Sequence, residues 1–366
     1  MAVRKVIVVG GGVAGTVTAL ALREAGIEAD VFEAHRSGGA DAGAFLTVMR
    51  NGMTALAGIG AAEAVEAVSF PARAVVLVDA QGQRLGHRPI EGPARSLTRA
   101  ALYRALQALA VERGIAVHHG RRMTGASIGS GGVEVTFADG SRVTGDVLVG
   151  ADGIHSLTRG LIDPGAPAPR YSGQHVVYGY TPGNPAGLDL DEYHMVRGSR
   201  AFFGLTVPDG DGRTWWFARI PGTEPAAGLR PDQWRELALD LSRDDATPVH
   251  GLIAASGSEI VGGDSYDIPT TPHWHNARMV LAGDAAHAAV PAAAQGASMA
   301  AEDAVALAAA LCDHDDPAIA FAVYENRRRA ETEETVASSA RLASSSGDHQ
   351  RGAEAITRAE AATSGE

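Results

Sequence analysis

Residues Gly10-Gly11-Gly12-Val13-Ala14-Gly15 have the G-x-G-x-x-G spacing with which a polypeptide holds a pyrophosphate. Gly10 permits a tight turn, Gly12 lets backbone approach the phosphates, and Gly15 lets a helix pack closely on the preceding strand. Ala14, after Val13, opens that helix, whose free N–H groups and positive dipole end favour an anion. Alone, the glycines would be weak evidence. Glu33, eighteen residues beyond Gly15, ends the next strand-like run, where a carboxylate can accept hydrogen bonds from ribose hydroxyls. An acid there suits a free ribose, as in FAD or NAD, and disfavours a 2′-phosphate. Glycine string, acid and strand–helix–strand context together favour an adenine dinucleotide site over a glycine-rich structural turn.

The elements that must position these residues follow from periodicity. It predicts a strand over 6–9, a helix over 14–24 ending at Gly26, and a strand over 28–32, which make one βαβ unit. Helices are expected over 51–56 and, after the "SLT" cap, over 99–113, with a strand over 115–119. The stretch "VEVTFADGSRVTGDVLVGADG" alternates by two around Asp139-Gly140, a hairpin signal. From about Asp163 the character changes. "DPGAPAPRYSG" reads as a linker, and 174–267 as an antiparallel sheet with a helix over 231–241. "RAFFGLTVPDGDGRTWWFARIPG" supplies two of its strands across a Gly/Asp turn. Residues 279–282 return to parallel-strand character, and the chain finishes in helices whose Ala/Ser/Glu-rich end, from about Ser338, is expected to fray. The fold class is therefore α/β: a Rossmann-like lobe interrupted by an inserted β-sheet domain and completed by C-terminal helices.

Composition narrows the function. With 366 residues, 45% hydrophobic and 20% charged, the chain fits a globular protein of two lobes. A net charge of −12 argues against nucleic acid and against an anionic membrane surface. A lone cysteine, Cys312, forms no intramolecular disulfide and points to a reducing cytoplasm; its alanine-rich surroundings suggest a buried small hydrophobe. The N-terminus reads as strand, glycine turn and helix, not as a signal peptide, and no other run reaches the ~20 apolar residues of a membrane span. Lys5 is the only lysine.

Two further motifs, "GADGIHSLTR" at 150–159 and "LAGDAAHAAVPAAAQGASMAAEDA" from Leu281, complete a triple pattern. In order and separation it resembles the para-hydroxybenzoate hydroxylase-like family of single-component FAD monooxygenases, across roughly the whole chain. The resemblance implies FAD as cofactor, held through Gly10, Gly12, Val13, Ala14, Gly15, Glu33, Arg36 and Gly43. It also implies Asp152 and Gly153 beside the pyrophosphate, Arg99 at the phosphate and ribityl region, and Gly283-Asp284 on the ribityl chain. Pro291 is implied beside the flavin ring, with Gln295 and the helix start at Gly296, Ala297 and Ser298 facing its N1–C2=O edge, as an oxyanion hole faces charge. Ala294 departs from the family pattern, which has glycine there, and Ser298 stands where asparagine is frequent. The implied division places 1–70, 99–165 and 273–366 in the FAD-binding domain, and 71–98 and 166–272 in the substrate domain.

The activity implied is NAD(P)H-dependent transfer of one oxygen atom from O2, through C4a-hydroperoxyflavin, to a small aromatic or polyketide-like molecule. Alternatives are a Baeyer–Villiger or epoxidising flavoenzyme, or a flavin protein that shelters an unstable intermediate without turnover. Substrate contacts are sought among Tyr178, Tyr180, His194, Arg197, Trp216 and Arg219, which spacing does not rank. "WWFARIP" approaches the W-x-W-x-I-P of flavin-dependent halogenases, but Ala218 and the committed Lys5 argue against that chemistry. His118-His119 point to opposite strand faces, and His273 with His275, expected on one strand face, lack a third ligand; no metal is expected. His287 reads as a packing residue. Arg327-Arg328-Arg329, among glutamates on a helix, reads as a salt-bridged solvated face.

Overall fold

A computed structural model describes residues 3–36, 43–226 and 228–344. Its centre is a five-stranded parallel sheet in the order Met279–Leu281, Val147–Gly150, Lys5–Val9, Glu28–Glu33, Val117–His119. Strands of such a sheet are covered on both faces, so they read as continuous apolar runs. Val6, Val8, Val147 and Val149 face the helices Val13–Glu24, Arg99–Glu112 and Gly296–Asp313. Ile7, Val9 and Leu148 face a three-stranded meander, Met123–Gly129, Gly132–Phe137 and Arg142–Gly145, built on the Asp139-Gly140 turn.

A second sheet of seven strands runs Val261–Asp267, Arg170–Pro182, Arg213–Pro221, Phe202–Thr206, Glu192–Arg197, Ala74–Asp79, Arg84–Pro89. It is not wholly antiparallel as periodicity suggested: Glu192–Arg197 pairs in parallel with Ala74–Asp79, because the last two strands come from a distant part of the chain. One face of this sheet packs on helices Pro231–Ser242 and Val249–Ala254 through Trp216, Ala218 and Ile220. The other carries Trp215, Tyr180 and Tyr193 toward Phe45 and a small sheet of Phe45–Val48, Arg95–Thr98 and Phe70–Pro71.

Three expectations are corrected. Cys312 is exposed, because the alanine-rich helix buries its other faces. His273 and His275 lie in a loop, where His275 forms only an isolated bridge to Val280. Of the arginine run, Arg328 is buried, because its position repeats the spacing of Phe321 and Tyr324 on the inward face of Pro317–Ser344. That helix extends to Ser344; the rest of the tail lies outside the described residues. Among the described residues no helix is long and apolar enough to cross a membrane.

Candidate active site

The motifs that lie far apart in sequence abut at the glycine loop. Gly10 turns out of the first strand with φ +102°, and a Cβ there would stand 2.1 Å from the Ala151 carbonyl oxygen, so only glycine lets the loop lie against "GADG". Gly283, φ +62°, approaches Ala14 so closely that a Cβ would come within 2.6 Å of that methyl. Gln107 of the helix begun by Arg99 donates to the Gly11 carbonyl at 2.8 Å. Gly12, by contrast, faces open space, its nearest neighbour on that side being the Tyr103 hydroxyl at 3.9 Å. The helix Val13–Glu24 has neither a side-chain cap nor an acid in its first turn, so its terminal N–H groups are left to that space. Open space before an uncapped helix end fits a pyrophosphate.

Glu33 is 8% exposed, and its two carboxylate oxygens accept from the Gly11 N–H (2.7 Å) and the His35 N–H (2.6 Å). Each oxygen keeps a lone pair for a ribose hydroxyl. Arg36 follows on an exposed turn. The Asp152 carboxylate is turned inward: it accepts from the Thr158 N–H and hydroxyl, both at 3.0 Å, and from Ser156. What Asp152 and Gly153 offer the cleft is therefore main chain. Arg159, unassigned by the sequence, donates to the carbonyls of Ala285 (3.0 Å) and Ile154 (2.7 Å) and ties "GADG" to "GD".

On the other side of the cleft, Asp284 opens a short helical turn after Gly283, and its carboxylate accepts no hydrogen bond among the described residues. A Cβ at Gly296 would lie 4.0 Å from its Oδ1, so the long helix starts beside it. Tyr103 first, then Asp284 and Tyr178, hold the Arg99 guanidinium above its ordinary value, although the residue keeps an exposed surface. Arg99 thus connects the cofactor cleft with the second sheet.

Ala294 has φ +54°, so the alanine adopts the left-handed shape usual for glycine. Ser339 holds that loop, accepting from the Ala293 N–H (3.0 Å) and donating to the Val290 carbonyl (2.7 Å), while Pro291 is exposed. The Ser298 hydroxyl accepts from the Met49 N–H at 2.9 Å, so its side chain braces the helix start. Gly43 accepts from the Tyr180 hydroxyl at 2.6 Å.

Strand register sorts the substrate candidates. Tyr178 pairs with Phe217, Tyr180 with Trp215, and Val176 with Arg219, and directly paired residues share a sheet face. Tyr178, Phe217 and Arg219 therefore face the cleft side with Met195 and Gly204. Tyr180 shares that face, but its hydroxyl is taken by Gly43 and its ring by Arg213. Trp216 and His194 do not reach the cleft. Both lie on the opposite face, where the Trp216 indole donates to Ser256 at 2.7 Å, since adjacent strand residues alternate. Arg197 is exposed at the end of its strand beside Asp79. His194 stands near Asp189 and Glu192 with ligand-like spacing, but Glu192 already contacts His87 at 3.3 Å.

One cluster escaped sequence reasoning. Asp303, 0% exposed, accepts from the Gly283 N–H (2.9 Å), from His287 Nε2 (2.6 Å) and from Arg328 Nε (2.9 Å). Arg328 also binds Glu302 at 3.0 Å and Glu331 at 2.7 Å, and Asn51 links Glu302 to Gln295. The two adjacent acids, Glu302 and Asp303, within the run "AAEDAVALAAAL" were the available signal.

A family model described as FAD binding domain matches residues 4–339. The chain is 32% identical over 346 residues to the aurachin C monooxygenase/isomerase of Stigmatella aurantiaca, covering 92% of this chain and 88% of that protein. It is 32% identical over 354 residues to a 3-amino-4-hydroxybenzoate 2-monooxygenase of Streptomyces platensis, covering 88% and 84%. The crystal structure of Klebsiella pneumoniae HpxO complexed with FAD and uric acid matches with a TM-score of 0.85 at 28% identity, over 98% of this chain and 92% of that one.

Proposed function

The chain belongs to the FAD-binding-domain family and is an FAD-dependent monooxygenase, and on that footing we propose that it uses NAD(P)H and O2 to hydroxylate a small aromatic or polyketide-like substrate. FAD, when bound, supplies hydride acceptance and O2 activation; the protein's part is to bind, orient and exclude water. Residues 10–15 and Glu33 would hold the ADP half. Asp284 would take a ribityl hydroxyl, and Arg99 the negative charge nearby. Pro291 and the N-terminus of Gly296–Asp313, uncapped by any side chain, would face the flavin ring, where helix N–H groups favour negative charge. Tyr178 would meet the substrate. We place the enzyme in the cytoplasm on its single cysteine.

The observation that carries this reading is the position of Arg99, within electrostatic reach of both Asp284 and Tyr178. It supports reading the cofactor side and the tyrosine-bearing sheet as two walls of one cleft. The test is NAD(P)H oxidation by the FAD-loaded protein over a panel of phenols and aromatic acids. At least one should stimulate oxidation and yield a product heavier by one oxygen atom; no stimulation across the panel refutes the proposal.

A further inference from the structure

The second sheet gathers ligating side chains on the face turned away from the cleft. Directly paired residues share a face, and Val76 pairs with His194 on one side and with His87 on the other, so both imidazoles stand there. Glu192, two positions before His194 on the same strand, shares that face. Asp189 arrives from the loop just before the strand. One ligating atom from each of Asp189, Glu192 and His194 lies within 4.8 Å of the others. His87 Nε2 stands 3.3 Å from Glu192 Oε1. Sequence spacing alone predicts no metal here, because His87 and Glu192 lie 105 positions apart.

A surface histidine–glutamate pair is worth little by itself, and it leaves Asp189 and His194 without a role. The His194 ring is half-buried, and its Nε2 meets no hydrogen-bond partner among the described residues. Glu192 and Asp189 bring negative charge to that ring, against the positive charge of Arg84. Two imidazoles with two carboxylates make the nitrogen–oxygen donor set of a divalent transition metal, whereas magnesium and calcium favour oxygen alone. The present spacing exceeds the about 3.3 Å between ligand atoms of a tetrahedral zinc site, so an ion would draw the side chains inward, and Asp189, on an exposed loop, can follow. All six residues of the edge strand Arg84–Pro89 are exposed, so its ladder to Ala74–Asp79 holds it with little help from burial. We propose that Asp189, Glu192, His194 and His87 bind one zinc-type divalent ion, which fastens this edge strand to Glu192–Arg197 across the strand between them. Standing on the face opposite the cleft, the ion is a structural staple and takes no part in turnover.

The test is calorimetric titration of the FAD-loaded, tag-free protein, first stripped with EDTA, using zinc chloride and magnesium chloride. Zinc should bind at one ion per chain and about tenfold or more tightly than magnesium. His87→Ala and His194→Ala should each weaken zinc about tenfold or more, since even residues that only support a ligand cost that much. Zinc should also raise the melting temperature of the unmodified protein, and should lose that effect in His87→Ala, whose exposed position spares the core. Absence of saturable zinc binding overturns the proposal, and so does magnesium binding as tightly as zinc, the behaviour of a plain acidic cluster. Unmodified affinity in either histidine variant overturns it too, because the ion is then held elsewhere. Should His194→Ala fail to fold, Glu192→Gln takes its place with the same expected loss. A melting temperature that zinc raises equally in His87→Ala refutes the fastening of the edge strand.

Discussion

At position 294 an alanine holds a backbone conformation that glycine adopts at no steric cost. Read as sequence, position 294 departs from the family pattern, which has glycine there. The folded chain keeps the glycine-like shape, because Ser339 fastens the preceding residues from both sides. Ala294→Gly should therefore stabilise the protein by about 0.5–1 kcal/mol, the relief of left-handed strain less the added entropy of the unfolded chain. Urea denaturation measures it; a loss of stability would mean that the alanine methyl makes a contact worth more than the strain. Single residues also show where sequence reading reaches its limit. Tyr178, His194, Trp216 and Arg219 looked equivalent, and their strand parity was readable, but which parity meets the cleft was not.

Two helices and the "GD" segment are joined through one carboxylate. Burial alone would raise the Asp303 carboxyl, but His287 and Arg328 outweigh it and hold it below its ordinary range. Burial would likewise depress His287, yet the Asp303 charge holds the imidazole above its ordinary value. A raised histidine stabilises fully below its unfolded value, roughly pH 6.5, and that contribution is lost as pH rises through the folded value. The depressed carboxyl contributes above roughly pH 3.9 and fails as pH falls through its lowered value. Asp303→Asn should then cost about 3 kcal/mol or more at pH 6, because buried His287 loses its counter-charge and Arg328 loses one of its three carboxylates. In urea melts the deficit should narrow as pH rises through the raised folded-state value of His287; a deficit that never narrows on the alkaline side would remove His287 from the account. The arginine run was legible as charge but not as geometry, since its neighbours in sequence suggested water and its helical spacing put Arg328 inside.

Across the whole molecule, four motifs from residues 10, 99, 150 and 283 onward meet at the glycine loop, so bound FAD should act as a clamp on the fold. At a hundred times its dissociation constant a ligand that binds only the folded state adds about 2.7 kcal/mol. Added FAD should raise the melting temperature of the stripped protein by several degrees. Asp284→Ala should reduce that increment and leave the FAD-free melting temperature near the parent's, because the carboxylate has no hydrogen bond within the described protein. An unchanged increment would refute the ribityl assignment.

Much of the fold was legible without coordinates. Glycine turns, strand alternation and the "SLT" cap act over a few residues, so the βαβ unit, the Asp139-Gly140 hairpin and the helix from Arg99 were written into local pattern. The same locality exposed the glycine loop and Glu33. What only the tertiary structure decided were relations between residues tens to hundreds of positions apart. It set the contact of Gly283 with Ala14, the parallel strand pair from 74–79, the Asp303–Arg328 bond and the meeting of His87 with Glu192. Each depends on which faces pack together, and a local pattern cannot specify the partner that arrives from elsewhere in the chain.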